Sequence, residues 1–182
     1  MAKKPPHNGT RTALIRVAKV HILIGIFFAA QIIAYDAARL ITPEIVLKRW
    51  IFLSVLLVGA AVTWYLARLN NSSAVVRNLV WFLVTIDMVV ASFAVYTQRG
   101  MASRAVLLFV IPILTAAVLQ RKGAIYLVSA LAVVVYTVTA LAYFVLNFNE
   151  GYKIELYGEI GFYSGILLAV GWTAWALVRH KR

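Results

Sequence analysis

No cysteine occurs in this chain, which excludes disulfides, thiolate metal ligands and thiol nucleophiles together. Acids are nearly as scarce: six Asp and Glu stand against 18 Lys and Arg. Of the three histidines, His7 and His180 lie in the tails and His21 follows Lys19 closely at the start of an apolar run. No two of them sit at matching depth on opposed spans, as bis-histidine haem requires, and no His/Asp/Glu cluster has metal-ligand spacing. Phosphate loops, dinucleotide fingerprints and hydrolase motifs are also missing. The expectation is a protein that is not an enzyme, with no metal and no cofactor.

What is present is apolar. Of the 182 residues 63% are hydrophobic and 13% charged, whereas soluble domains run at roughly half and a quarter. Such a chain belongs in a membrane. A bilayer core about 30 Å thick takes roughly 20 residues per helix, so this length accommodates about six spans with short loops. The predicted fold is therefore all-α, a polytopic six-helix membrane bundle with no room for a separate soluble domain. The net charge of +12 does not indicate nucleic acid, because the basic residues come singly or in pairs between apolar runs. They read instead as a topology signal, with membrane lipids as the immediate partner.

Residues 1–12, with Lys3, Lys4, Pro5, Pro6 and Gly9, are expected to form a disordered basic cytoplasmic tail. Residues 13–182 then form one membrane domain, with spans at about 20–38, 50–66, 78–97, 105–120, 124–147 and 160–178. The first apolar segment is read as a retained helix, because no small-residue cleavage site follows it. Thr42-Pro43 punctuates the first outer loop as a cap and first helical residue. Arg121-Lys122-Gly123 is expected to turn between the fourth and fifth spans. An outer loop from Asn149 to Glu159 holds three of the six acids. With the N-terminus inside, 12 Lys and Arg fall on the inner side and 6 on the outer. That asymmetry places both termini in the cytoplasm. Trp50, Tyr96 and Tyr152 toward the outside, and Trp64, Tyr65, Trp81, Tyr126, Trp172 and Trp175 toward the inside, are expected to be interfacial anchors.

Asp87 is the one acid well inside a span, about 15 Å beyond Arg77 at roughly 1.5 Å per residue. An acid at helix centre costs on the order of 3 kcal/mol, so it should face the bundle or a wet cavity rather than lipid, and be neutral there. Ala91 and Ala94 keep that face small. Depth counting puts Gln31, Gly59, Pro112, Ser129 and Ala169 near the same level. Pro112 has no N–H for the carbonyl of Leu108 and is expected to kink its helix. A protonated Asp87 would then donate to that carbonyl or to Gln31. Between the third and fourth spans lies a short basic outer turn, Gln98 to Arg104, in which Ser103 is expected to cap the fourth helix. The arginines of this turn, Arg99 and Arg104, are placed to meet an anionic solute or head group.

A mid-membrane Asp87, then Tyr96-Thr97, then Gly100-x-x-Ser103, then Pro112-Ile113-Leu114-Thr115-Ala116-Ala117 and Arg121-Lys122-Gly123-Ala124, resembles the six-helix N-terminal sensor module of bacterial histidine kinases. The resemblance covers mainly residues 83 to 137, and the six-span layout extends it over the chain. The family turn usually carries a Gly pair and a Ser-Pro; here Arg99 and Arg104 take the places of one Gly and the Pro. Kinase domains would follow such a module, and the chain holds neither a phosphorylatable His motif nor an ATP site. The resemblance implies a sensory, signal-input module in the bacterial inner membrane, acting through a homodimer or a separate signalling partner, with no ligand indicated. The alternative is a small-solute transport or substrate-binding subunit of the six-span importer type, although the spans are poor in the convergent polar groups such a pocket needs.

Overall fold

A computed structural model describes residues 7–98, 103–147 and 153–179. Among the described residues every regular element is helical: α1 (His7–Ala37), α2 (Pro43–Leu69), α3 (Ser73–Thr97), a 3-10 segment (Arg104–Phe109) running into α4 (Val110–Ala117), α5 (Lys122–Asn147) and α6 (Lys153–Arg179). Five of these helices are long and apolar enough to cross a membrane, and Arg104–Ala117 is a shorter apolar one. At ~2.0 Å per 3-10 residue and ~1.5 Å per α residue that segment is about 24 Å long, against the ~30 Å of a bilayer core. The chain divides into two compact units, Met1–Ile86 and Asp87–Arg182, with the boundary inside α3.

The first unit is built on an antiparallel hairpin of α1 and α2. Leu14, Ala18, His21, Gly25 and Ile32 are buried along α1, and Leu53, Leu56, Ala60, Thr63 and Ala67 along α2. The α1 series steps by threes, fours and a seven, and the α2 series by threes and fours, the spacing that keeps one narrow seam facing a partner helix. Small residues in the seam let the helices approach closely. His21 belongs to this seam: it is 3% exposed and its Nδ1 lies 2.8 Å from the Val17 carbonyl one turn back.

Helix α1 begins at His7, inside the segment expected to be a disordered tail, while residues 1–6 lie outside the described residues. Arg11 supplies the reason for the early start. Its Nε donates to the Ala67 carbonyl at 2.7 Å and its Nη2 to the Arg68 carbonyl at 2.6 Å. The last carbonyls of α2 have no partner within their own helix, so this guanidinium satisfies them and opposes the negative end of the helix dipole.

The hairpin turn is made by Arg39, whose φ of 53° is left-handed. Arg39 N–H bonds the Asp36 carbonyl and Leu40 N–H the Tyr35 carbonyl, both at 2.9 Å, the pair that closes a helix in a Schellman motif. Thr42 stands at the N-cap of α2 with Pro43 behind it, but its side chain makes no capping hydrogen bond.

In the second unit α4 packs against α5 and α6, and α5 against α6. The core is Phe109, Ile113, Ala116, Ile125, Val128, Ala132, Tyr136, Ala140, Leu167 and Ala174. Helices α5 and α6 come close at Gly171, where an added Cβ would overlap the Ser129 hydroxyl and stand 2.9 Å from the Ser129 Cβ. Two boundaries differ from the sequence expectation. The turn after α4 is Val118-Leu119-Gln120, closed by Leu119 N–H to Ala116 and Gln120 N–H to Ala117 carbonyls, with Gln120 at φ 52°. Lys122 and Gly123 therefore open α5 instead of forming the turn. Helix α6 starts at Lys153, so Glu155 and Glu159 lie on a helix rather than in a loop. An acid in the first turn complements the positive end of the helix dipole; residues 148–152, with Glu150, are outside the described residues.

Several aromatic residues expected as anchors sit beside cations near helix ends. The Arg68 guanidinium lies 4.2 Å from the Trp64 ring centre and the Lys122 ammonium 5.5 Å from that of Tyr126. Trp50, Tyr65 and Trp172 are exposed. Rings of this kind favour the head-group level, where one side is apolar and the other wet.

Candidate functional site

Asp87 is the acid the fold withdraws from the surface, at 4% exposure. Helix α3 places it one turn before Ala91, which is fully buried, so the carboxyl projects from a face of small side chains. Its partner across the helix contact is Thr115 of α4. The Thr115 hydroxyl donates to Asp87 Oδ2 over 3.2 Å, and Thr115 is itself 1% exposed. Such a bond between buried polar groups on two apolar helices contributes about 0.5–2 kcal/mol. Removing one end costs more than removing both, because the remaining group stays desolvated and loses this bond.

Pro112 is buried three residues before Thr115, on the same helical face. It falls in the first turn of α4, where a missing N–H costs least. The backbone ahead of it is tightened into the 3-10 segment, and the Val110 N–H is directed at the carbonyls of Leu107 and Leu108. The Leu108 carbonyl is therefore not the freed acceptor expected of a kink at Pro112. The proline instead sets where the α winding starts, and with it the height of Thr115 against Asp87.

Gln31 does not join this group: it is exposed, and its amide donates to the Tyr35 hydroxyl on its own helix at 3.2 Å. Of the outer turn, Arg99 and Gly100 lie outside the described residues. Ser103 is buried and its hydroxyl oxygen accepts the Ala105 N–H at 3.0 Å, capping the 3-10 segment. It also donates to Gln98 Oε1 at 3.5 Å, which links the end of α3 to the start of the next segment. Arg104 is exposed.

Depth counting from the sequence missed Thr115. The available signal was a hydroxyl in an apolar run, one turn beyond the proline already matched to Asp87. Ser129, on the matched level, bonds the Ile125 carbonyl of its own helix at 2.8 Å and serves the α5–α6 crossing instead. Among the described residues no three His, Asp or Glu side chains converge as a metal site would require. The group therefore offers a single carboxyl whose hydrogen bond couples the position of one helix to that of the next. Comparison with family models, curated proteins and solved structures finds no match to this chain.

Proposed function

We propose that this chain is a membrane-embedded signal-input module that passes a conformational change to a partner, of the type found ahead of bacterial histidine kinase domains. The observation that carries the proposal is the buried hydrogen bond from Thr115 to Asp87. It ties α3 to a short helix that changes winding between Phe109 and Val110 and that packs on both α5 and α6. A stimulus that alters the carboxyl, by changing its protonation or by displacing Thr115, changes the preferred register of α4. One or two kcal/mol of such bias shifts a two-state equilibrium about five- to thirtyfold. Helix α6, ending in Arg179, carries the shift to a homodimer or a separate signalling partner.

In this reading the shorter segment Arg104–Ala117 completes six spans in the bacterial inner membrane, with both termini cytoplasmic. The support for that orientation is the excess of Lys and Arg on one side. A C-terminal reporter that works only outside the cell is expected to stay silent; a signal from it overturns the topology.

The absence of cysteine makes the conformational test direct. Spin labels at Leu114→Cys and Leu177→Cys, both exposed, report the distance between α4 and α6 in liposomes. Asp87→Asn and Thr115→Val are expected to shift the distance distribution toward a second population, and a titration over a wide pH range to do so in the parent chain alone. An identical distribution in all three proteins across the titration would falsify the reading.

A further inference from the structure

Helices α5 and α6 meet in order at Tyr136 with Tyr163, at Ser129 with Gly171 and at Tyr126 with Trp172. Residue numbers fall along one helix as they rise along the other, so the two run antiparallel and the start of α5 lies beside the end of α6. Cations collect there. Lys122 opens α5, Arg179 closes α6 and Arg121 precedes Lys122, and all three are exposed. Among the described residues none of the three forms an ion pair. The described acids of this unit lie elsewhere: Asp87 is buried against Thr115, and Glu155 and Glu159 stand near the opposite end of α6, Glu159 about 30 Å from Arg179 at about 1.5 Å per residue.

Beside the cations the surface turns aromatic and then apolar. The rings of Tyr126 and Trp172 lie 6.4 Å apart between centres and link the two helices, with Trp172 67% exposed. Lys122 stands one turn from Tyr126, its ammonium 5.5 Å from that ring centre. Arg179 stands two turns beyond Trp172 on the same helical face. Both cations are therefore on one side of the ring pair, Lys122 by about 6 Å and Arg179 by about 10 Å along the helix axes. On the other side, one turn from Trp172, is Leu168, which is 50% exposed.

We propose that Lys122 and Arg179, backed by Tyr126 and Trp172, hold the head group of an anionic phospholipid across the contact of α5 with α6. The lipid phosphate accepts N–H bonds from the ammonium and the guanidinium. The two rings take the interfacial level between head group and chains, and an acyl chain runs along Trp172 and Leu168. A choline head group brings a cation to a surface where no described acid can receive it. Free phosphate has no chain and forfeits the apolar contact. The proposal does not draw on the bond between Thr115 and Asp87, so it and the signal-input reading fail separately.

The test is tryptophan quenching of the full chain in phosphatidylcholine vesicles that contain a small fraction of brominated phosphatidylglycerol or, at the same fraction, brominated phosphatidylcholine. Subtracting the Trp172→Phe variant isolates Trp172, and Trp50→Phe does the same for Trp50, an exposed ring of the first unit beside Arg49. Phosphatidylglycerol is expected to occupy the surface at Trp172 about tenfold more favourably than phosphatidylcholine. That preference should vanish in the double variant Lys122→Gln with Arg179→Gln, while quenching by brominated phosphatidylcholine persists and shows the helices still in the bilayer. An equal preference at Trp50 would report only the diffuse attraction of a chain with net charge +12 and overturns the proposal. So does a preference that survives in the double variant, one abolished by inorganic phosphate at constant ionic strength, or a Trp172 that neither lipid quenches.

Discussion

The two units are made of the same apolar helices but settle their buried polar side chains differently. In the α1–α2 hairpin, His21 turns back to a carbonyl of its own helix and Arg11 closes the open carbonyls at the end of α2. In the second unit, Thr115 reaches a side chain on another helix, and Ser103 spans the turn to Gln98. The bonds of Arg11 cross from α1 to two backbone carbonyls at the end of α2 and so fix where the hairpin's helices meet. The bond of Thr115 ends instead on a carboxyl, a group whose charge or loss alters it. The hairpin is therefore suited to hold position, while the second unit holds a contact that can register a change at one side chain.

Three substitution pairs sharpen or break that contrast, each read by reversible unfolding in detergent. The largest effect is expected at the α5–α6 crossing. Gly171→Ala should cost about 2 kcal/mol, because Ser129 stands where the methyl must go. Gly165→Ala on the same helix meets open space and should stabilise by about 0.5–1 kcal/mol through helix propensity. Equal responses at the two positions would mean that α5 and α6 are not in close contact there.

A smaller difference is expected between two buried threonines. Thr115→Val should cost about 1 kcal/mol, since the bond from Thr115 to Asp87 is lost. Thr63→Val in the hairpin should be neutral or gain up to about 1 kcal/mol, since the Thr63 hydroxyl has no partner among the described residues. If Thr115→Val proved as harmless as Thr63→Val, the bond that separates the two units in behaviour would not exist in the membrane.

The smallest effects belong to the ends of the hairpin. Arg11→Gln should lose about 0.5–1 kcal/mol by uncapping α2. Arg39→Gly should gain about 1 kcal/mol by relieving a left-handed backbone. Opposite signs at the two arginines would confirm that one serves the fold and the other merely tolerates its place.

Much of the helical content was legible in advance, since long apolar runs in a chain this poor in charge have no other way to satisfy their backbone in lipid. Ser103 as a cap was equally readable, from a hydroxyl just ahead of an apolar segment. The ends of the elements were not. The turn at Gln120 and the early starts of α1 and α6 depend on backbone geometry and on a guanidinium arriving from another helix, neither of which hydrophobic periodicity encodes.

The same division holds for the candidate site. Composition and spacing by themselves determined an all-helical protein with one acid inside a span, because insertion energetics penalise every other arrangement of these residues. Which side chain answers Asp87 was decided only by tertiary structure. Thr115 meets it because the 3-10 segment ahead of Pro112 fixes the rotation and height of α4. The Tyr136 hydroxyl is left without a hydrogen-bond partner among the described residues where α4, α5 and α6 pack together. A linear sequence records depth along each helix but not the angle at which one helix faces the next, and that angle selects the partner.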